Sequence, residues 1–160
     1  MDQSKTPLFD AIKDYIDLSP AYFRIPGHRL ERGISSRWKD VVGEEIFKFD
    51  LTETPLVDDL HNPEGAIKEA QLLAQEVFSA EHSYFLVNGT TCGNEAMVIS
   101  TAFEGQKIAI PRNAHKSVLM GLIISGAEPI YLSPVLSKEL GVQGGILPED
   151  VEAMFRTNPD

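Results

Sequence analysis

Short apolar runs that alternate with helical segments constrain the fold of residues 82–160 more than any other feature of the sequence. The runs lie at residues 83–87, 107–110 and 129–132, and each is continuous, as in strands that are buried on both faces. Helical segments follow the first two runs, over residues 91–103 and 117–125. This alternation predicts an α/β fold, a partial three-layer αβα arrangement around a mainly parallel sheet.

The first 62 residues predict an N-terminal arm of helix and loop. Thr6-Pro7 is a helix start signal, since a capping residue precedes proline at the first helical position. A short amphipathic stretch is expected over residues 36–47 and an irregular acidic segment over 48–62. A second start signal, Asn62-Pro63, opens a helical stripe that ends near Ser79, and Pro148 opens another helix that runs to Phe155.

These elements divide the chain into an arm, residues 1–62, and the first part of a larger domain, residues 63–160. Three parallel strands with no closing strand would leave long unpaired edges. We therefore expect the chain to be the front part of a larger α/β protein. The arm also carries apolar residues that a small core does not fully cover, which predicts a subunit interface. They are Leu8, Ile12, Tyr15, Phe23, Trp38 and Phe47. The alternative is that the arm folds back on its own domain.

Charge and apolar content exclude several classes of protein. Lys and Arg number 14 against 24 Asp and Glu, which gives a net charge of −10, so we expect no nucleic-acid partner. The N-terminus lacks the apolar run of a signal peptide, and the most apolar stretch, around residues 121–127, is too short to span a membrane. The lone Cys92 fits a reducing compartment. These features predict a cytoplasmic protein without membrane contact.

The segment from Asn88 to Asn94, Asn-Gly-Thr-Thr-Cys-Gly-Asn, directly follows the first predicted strand and opens a helix. The N-terminus of a helix presents free backbone N–H groups and the positive end of the helix dipole. Thr90 and Thr91 add hydroxyl donors, so the segment predicts a phosphate site. From these residues alone, the other interpretation is a turn at Gly89 followed by a helix cap.

The segment from Arg112 to Ser117, Arg-Asn-Ala-His-Lys-Ser, stands at the corresponding place after the second predicted strand. Ligands of open parallel sheets bind at the carboxyl ends of the strands, so the two segments are expected to face one crevice. His115 could there lie against a planar ligand or move a proton. Taken alone, it could equally be a loop histidine with no such role.

Both segments resemble those of the pyridoxal-phosphate-dependent decarboxylases of ornithine, lysine and arginine, which have the aspartate-aminotransferase fold. The resemblance extends from about residue 6 to residue 160, and its motifs occur in the family's order. They are Ile25-Pro26-Gly27-His28, Asp58-Asp59-Leu60-His61, Glu69-Ala70-Gln71, Phe85-Leu86-Val87-Asn88-Gly89-Thr90-Thr91, Arg112-Asn113-Ala114-His115-Lys116-Ser117, Ser125-Gly126-Ala127, Pro129-Ile130-Tyr131 and Gly144-Gly145-Ile146.

The resemblance implies decarboxylation of a basic amino acid with pyridoxal 5'-phosphate (PLP) as cofactor, by an enzyme that works as a dimer or higher homo-oligomer. Gly89, Thr90 and Thr91 would bind the cofactor phosphate, and His115 would be the catalytic residue that stacks on the pyridine ring. The expected substrate side carries His28, Asp58, Asp59 and His61. No metal is expected.

The chain also departs from the family pattern. The Schiff-base lysine of the family, in a Ser-x-His-Lys motif, and the aspartate that pairs with the pyridine nitrogen are both missing from this sequence. Lys116 is not that lysine, because its segment matches the motif of the stacking histidine. Arg29 stands where many members have lysine. Two alternatives remain: another PLP enzyme of this fold type, such as an aminotransferase or lyase, or a non-catalytic module that binds a phosphorylated ligand or a partner.

Overall fold

A computed structural model describes residues 1–158 of the chain. The chain separates into two compact units, Met1–Phe85 and a second unit that begins at Leu86. The boundary between the two units follows Phe85, whereas the sequence predicts that the arm ends at residue 62. The arm boundary at residue 62 stays a prediction for the complete domain.

The first unit is helical. Its elements are α1 (Pro7–Asp17), α2 (Ser36–Val42), α3 (Glu45–Lys48) and α4 (Ala66–Phe78). Helix α1 begins directly after Thr6, as predicted from the proline at its first position. Helices α1 and α4 pack against each other, and a small core of Tyr15, Tyr22, Leu30 and Val57 lies beside α1.

The amphipathic stretch predicted at residues 36–47 forms two short helices. Gly43 ends α2 in a left-handed conformation with φ of 79°, which favours glycine, and α3 then begins at Glu45. The apolar residues of the arm are also covered unequally. Phe23 and Trp38 are exposed as predicted, whereas Tyr15 is buried in the core, against the prediction.

The second unit contains a parallel crossover. Its elements are α5 (Gly89–Thr101), β1 (Lys107–Pro111), α6 (Lys116–Ser125), β2 (Glu128–Leu132), β3 (Leu136–Ser137), β4 (Val142–Gln143) and α7 (Pro148–Thr157). Strands β1 and β2 pair in parallel with Lys107 opposite Glu128, and α6 connects them. The core consists of Val98, Ala102, Ile110, Leu122 and Ala127. This mixture of helices and parallel strands confirms the predicted partial α/β fold.

The predicted strand at residues 83–87 is absent from the described chain, which is a correction to the sequence analysis. Residues 83–87 have no regular secondary structure and pair with neither β1 nor β2. Tyr84 and Val87 are 77% and 82% exposed. A run that is apolar on both faces becomes a buried strand only when other strands and helices cover it, and the described residues do not cover this one.

Two further features complete the fold. A short antiparallel hairpin of β3 and β4, in which Leu136 lies opposite Gln143, was not predicted from the sequence. Two-residue strands are too short to produce an alternating apolar pattern, so the sequence carries little signal for them. Within residues 1–158, every helix is too short or too polar to cross a lipid bilayer.

Candidate functional site

The N-terminus of α5 presents backbone donors that no side chain caps. The helix begins at Gly89, whose φ of 71° is left-handed and so favours glycine. Asn88, the capping residue, makes no side-chain hydrogen bond to the first turn, and Gly89, Thr90 and Thr91 are exposed. The free N–H groups, the helix dipole and two hydroxyls therefore converge on solvent, an arrangement that suits an anion.

His115 lies where β1 leads into α6. The strand ends at Pro111, and the backbone N–H of Arg112 still donates to the Leu132 carbonyl at 2.8 Å. His115 is the capping residue of α6, because its Nδ1 accepts a hydrogen bond of 3.2 Å from the backbone N–H of Ser117. The helix start therefore fixes the imidazole at the carboxyl end of the strand.

Hydrogen bonds through Ser117 join the two sequence segments. Ser117 is fully buried, with its Oγ 2.8 Å from Nδ1 of His115. The side-chain amide of Asn94, on α5, donates to the same Oγ at 2.7 Å. One turn of helix separates Asn94 from Thr90 and Thr91, so these residues share a face of α5. The predicted phosphate segment and the predicted stacking histidine are thus connected by three side chains.

The contacts between α5 and α6 show that their N-termini lie at the same edge of the unit. Asn94 meets Ser117, and one turn later Val98 meets Gly121, where an added Cβ would lie 2.8 Å from the Val98 Cβ. Because the contact advances four residues along both helices, the helices run in the same direction. The start of α5 therefore lies at the edge where β1 ends and α6 begins.

Positive charge is present at this edge as well. The guanidinium carbon of Arg112 lies 5.2 Å from the centre of the Tyr131 ring, on the neighbouring strand β2. A cation over an aromatic face is weakly stabilised in place without being neutralised. Arg112 thus adds to the attraction of this edge for anions.

Asp58 has a different role from an open substrate-side carboxylate. Its two oxygens accept five backbone N–H groups at 2.9–3.2 Å, and three of these groups, at residues 65, 67 and 68, belong to the start of α4. Burial raises the pKa of Asp58, but the backbone hydrogen bonds outweigh it and lower the pKa to about 2. Asp58 caps α4 from a distance, and its substrate-side role stays a prediction.

Asp59 and His61 lie in the same loop as Asp58. Asp59 accepts the backbone N–H of His61 at 2.8 Å, and Glu53 accepts that of Leu60 at 2.7 Å. The His61 side chain is 88% exposed, with Nδ1 3.9 Å from the Asp59 carboxylate and 4.0 Å from that of Glu53. The carboxylates of Glu53, Asp58 and Asp59 line an open pocket of about 570 Å³. The loop therefore holds an acidic concavity whose carboxylates also stabilise the loop backbone.

His28 contacts Asp50 and Phe47 within the first unit. Its Nε2 is 3.0 Å from the carboxylate of Asp50, and its ring contacts Phe47 with 5.9 Å between ring centres. The side chain is only 11% exposed, and its Nδ1 is buried without a hydrogen-bond partner among the described residues. His28 is thus a packed histidine oriented by a carboxylate.

Asn94 and Ser117 are the site residues that the sequence analysis left without a role. Both belong to the quoted segments, yet serine and asparagine near a helix start are usually taken as capping residues. The available signal is the spacing His-x-Ser at a junction of strand and helix, which places a hydroxyl beside the imidazole of the capping histidine.

Comparison with known proteins places this geometry in a family. The family model of Orn/Lys/Arg decarboxylase, major domain, matches residues 6–157. The arginine decarboxylase of Bacillus subtilis (strain 168) is 39% identical over 160 residues, which are all of this chain and 33% of that protein. The constitutive ornithine decarboxylase of Escherichia coli (strain K12) is 31% identical over 88% of this chain and 20% of its own length.

A solved structure agrees with the sequence comparisons. The constitutive lysine decarboxylase of E. coli superposes with a TM-score of 0.77 and 28% identity, covering 91% of this chain and 21% of that one. The chain therefore spans between about a fifth and a third of the length of these relatives. Because the family model covers nearly all of its residues, the chain belongs to the Orn/Lys/Arg decarboxylase family.

Proposed function

We propose that this chain is part of a cytoplasmic, PLP-dependent enzyme that removes the carboxylate of a basic amino acid and yields the corresponding amine. The observation that carries the proposal is the junction of the two segments at one edge of the second unit. Asn94, on the helix that begins with the phosphate-type turn, is hydrogen-bonded through Ser117 to His115. An anion site and an oriented planar side chain are the two features that a phosphorylated aromatic cofactor requires.

The residues at this edge fit PLP. The uncapped first turn of α5 and the hydroxyls of Thr90 and Thr91 would hold the phosphate, and Gly89 gives the backbone the turn that exposes those donors. His115, exposed and fixed by its cap, would lie against the pyridine ring. PLP supplies an electron sink for the pair of electrons left when the carboxylate departs. The chain's own residues bind and orient it.

The proposed substrate class is lysine, arginine and ornithine. The relatives carry all three names, so family membership by itself does not choose among them. A distal ammonium or guanidinium group needs an acidic partner. Of the substrate-side carboxylates, Asp58 is already engaged by five backbone donors, whereas Asp59 is exposed and accepts only two, from residues 61 and 62. Asp59 is therefore the better candidate to face a cationic substrate.

We also propose a homodimer or a higher homo-oligomer. Phe23 is 96% exposed and Trp38 is 62% exposed in the first unit. Exposed aromatic side chains of this size often mark an interface between subunits. Sedimentation of the full-length protein tests this: an assembly of two or more subunits is expected, and a monomer that still decarboxylates would contradict it.

The test of the function is carbon dioxide release by the full-length protein from lysine, arginine and ornithine, with PLP uptake followed by its visible absorbance. We expect turnover of at least one of the three. His115→Ala should lower turnover and cofactor retention, while Ser125→Ala, at the far end of α6, should change neither. Cofactor uptake without carbon dioxide release would favour an aminotransferase or lyase. An absence of cofactor uptake would favour a non-catalytic module that binds another ligand or a partner.

The segment by itself should be inactive. Lys116 follows the capping histidine of α6 and belongs to the motif of the stacking histidine, so it is not expected to bind the cofactor covalently. Decarboxylation by a protein made of residues 1–160 alone would contradict this assignment.

A further inference from the structure

The hydrogen bonds around His115 determine where its proton lies. The backbone N–H of Ser117 points at Nδ1 from 3.2 Å, and a backbone N–H can only donate. Nδ1 must therefore be unprotonated and accept. A neutral imidazole carries its single proton on the other nitrogen. The cap thus favours the form of His115 with hydrogen on Nε2.

The side chains of Ser117 and Asn94 enforce the same form. The Ser117 hydroxyl accepts from the Asn94 amide at 2.7 Å, and its own proton then points to Nδ1 at 2.8 Å. The Asn94 amide thus donates to the Ser117 hydroxyl, and the Ser117 hydroxyl donates to the imidazole of His115. A protonated Nδ1 would instead face the backbone N–H of Ser117, and two donors directed at each other are unfavourable.

Burial keeps water from replacing these partners. Ser117 is the one side chain in the described residues with an exposure of 0%, and Asn94 is half-buried. A buried hydroxyl that loses its partner pays the full desolvation penalty, so the arrangement is strongly preferred. His115, by contrast, is exposed, and its Nε2 makes no hydrogen bond within residues 1–158. The chain of donors therefore leaves one N–H of the imidazole directed outwards.

We propose that Asn94 and Ser117 are positioning residues that hold His115 with Nδ1 unprotonated and Nε2–H presented at the edge of the second unit. The importance of this arrangement for catalysis rests on the proposed function. A ring that stacks on a planar cofactor must be held in a fixed orientation. Side chains that hydrogen-bond to functional histidines commonly set the tautomer and the orientation of the ring in this way. Neither residue needs to touch the substrate.

The first measurement is made on the full-length apoprotein and does not depend on the cofactor. Magic-angle-spinning NMR of protein labelled with ¹⁵N in its histidine rings distinguishes protonated from unprotonated nitrogens, and loss of signal in His115→Gln assigns His115. We expect an unprotonated Nδ1 and a protonated Nε2 in the native protein. A protonated Nδ1 would overturn the inference, even if the enzyme decarboxylates.

Two variants then test the chain of donors. Asn94→Asp keeps the size of the side chain but replaces the donor by an acceptor, so the Ser117 hydroxyl donates to the new carboxylate and turns a lone pair towards Nδ1. This lone pair competes with the backbone N–H of Ser117, so Nδ1 should gain some protonated signal. Asn94→Gln, which keeps a donor, should retain more of the native tautomer. Ser117→Ala removes the hydroxyl but leaves the backbone N–H, so the tautomer should persist while the ring loses a restraint.

The second measurement is made on the PLP-loaded protein. In Asn94→Asp and Ser117→Ala we expect cofactor affinity to fall about three- to tenfold, as for the loss of one hydrogen bond, and visible circular dichroism per bound cofactor to weaken. The substrate KM should change less than kcat. Ser125→Ala, the same substitution on the same helix, should resemble the native protein.

These outcomes separate the inference from the proposed function. If the apoprotein shows the expected tautomer but both variants load PLP with native affinity and dichroism, the positioning role is wrong and the decarboxylase proposal stands. If the native protein takes up no PLP, the proposed function fails, whereas the tautomer measurement still decides the arrangement of donors. Should Ser117→Ala fail to fold, the comparison of Asn94→Asp with Asn94→Gln decides the matter.

Discussion

The starts of α4 and α5 satisfy their backbone N–H groups in opposite ways. At α4 the chain supplies its own anion, because the Asp58 carboxylate accepts N–H groups from residues 65, 67 and 68. At α5 the capping residue Asn88 makes no side-chain bond to the first turn. A helix start that carries an internal carboxylate serves stability, whereas one left open to solvent is available to a foreign anion. The comparison therefore contrasts a helix start that already holds an anion with one that is free to bind the proposed phosphate.

The largest expected effect comes from removing the internal anion. Asp58→Ala leaves five backbone donors without their charged acceptor and should lower the free energy of unfolding by about 2–4 kcal/mol. Denaturant unfolding of the full-length protein measures the loss, and hydrogen exchange over residues 65–68 should rise first. Asp17→Ala, which removes an exposed ion pair with Lys13, is the control and should cost much less. Equal losses in the two variants would contradict the capping role.

The next effect concerns the open helix start. Thr91→Ala removes one hydroxyl from the first turn of α5 and should weaken PLP binding by about 1–3 kcal/mol, the range for a hydrogen bond to a charged group. Titration of apoprotein with PLP measures the change. Thr101→Ala is the same substitution at the other end of α5, where the hydroxyl donates to the Met97 and Val98 carbonyls of its own helix, and should bind PLP normally. Normal binding in both variants would remove Thr91 from the phosphate site.

Acid should affect the two helix starts differently. The folded pKa of Asp58 is about 2 against an ordinary value of 3.8, so its contribution to stability is complete above pH 3.8 and is lost as the pH falls towards 2. The protection of the first-turn amides of α4, measured as the exchange rate relative to the intrinsic rate at each pH, should therefore fall across this interval. Asp58→Asn should lack this dependence because it has no titrating carboxyl. An identical acid response in native protein and variant would show that other groups cause it.

The smallest effect should come from giving α5 an anion of its own. Asn88→Asp places a negative charge at the helix start and should stabilise the apoprotein by about 0.3–1 kcal/mol through the helix dipole. The same charge competes with phosphate, so PLP affinity should fall while stability rises. Thermal unfolding and PLP titration of one sample measure both quantities. A rise in both would mean that phosphate does not bind at this start.

The comparison also shows which features could be predicted from the sequence. Local signals located the starts of α1, α5 and α6 to within two residues, because capping residues and prolines act at short range. Both candidate segments were identified for the same reason, and the family resemblance was confirmed. The role of Asp58 could not be predicted, because its contacts with the start of α4 span seven to ten residues and depend on the fold of the loop.

The strand predicted at residues 83–87 failed for a related reason. A continuous apolar run indicates that other parts of the protein bury the segment. Whether the segment pairs as a strand depends on residues far away along the chain. Tyr84 and Val87 remain mostly exposed within the described residues. The hydrogen bonds of Asn94 and Ser117 were likewise invisible, because 23 residues separate the partners.

The paired contacts of α5 and α6 impose a constraint on how such a sequence can change during evolution. Asn94 meets Ser117 and Val98 meets Gly121, so the same four-residue step is used on both helices. Substitutions elsewhere on these helices leave the spacing of these contacts unchanged. One residue inserted between positions 94 and 98 would rotate the rest of α5 by about 100° about the helix axis. Insertions and deletions should therefore be rejected between residues 94 and 98 and between residues 117 and 121, both in evolution and in engineered variants. The surrounding loops should tolerate changes in length.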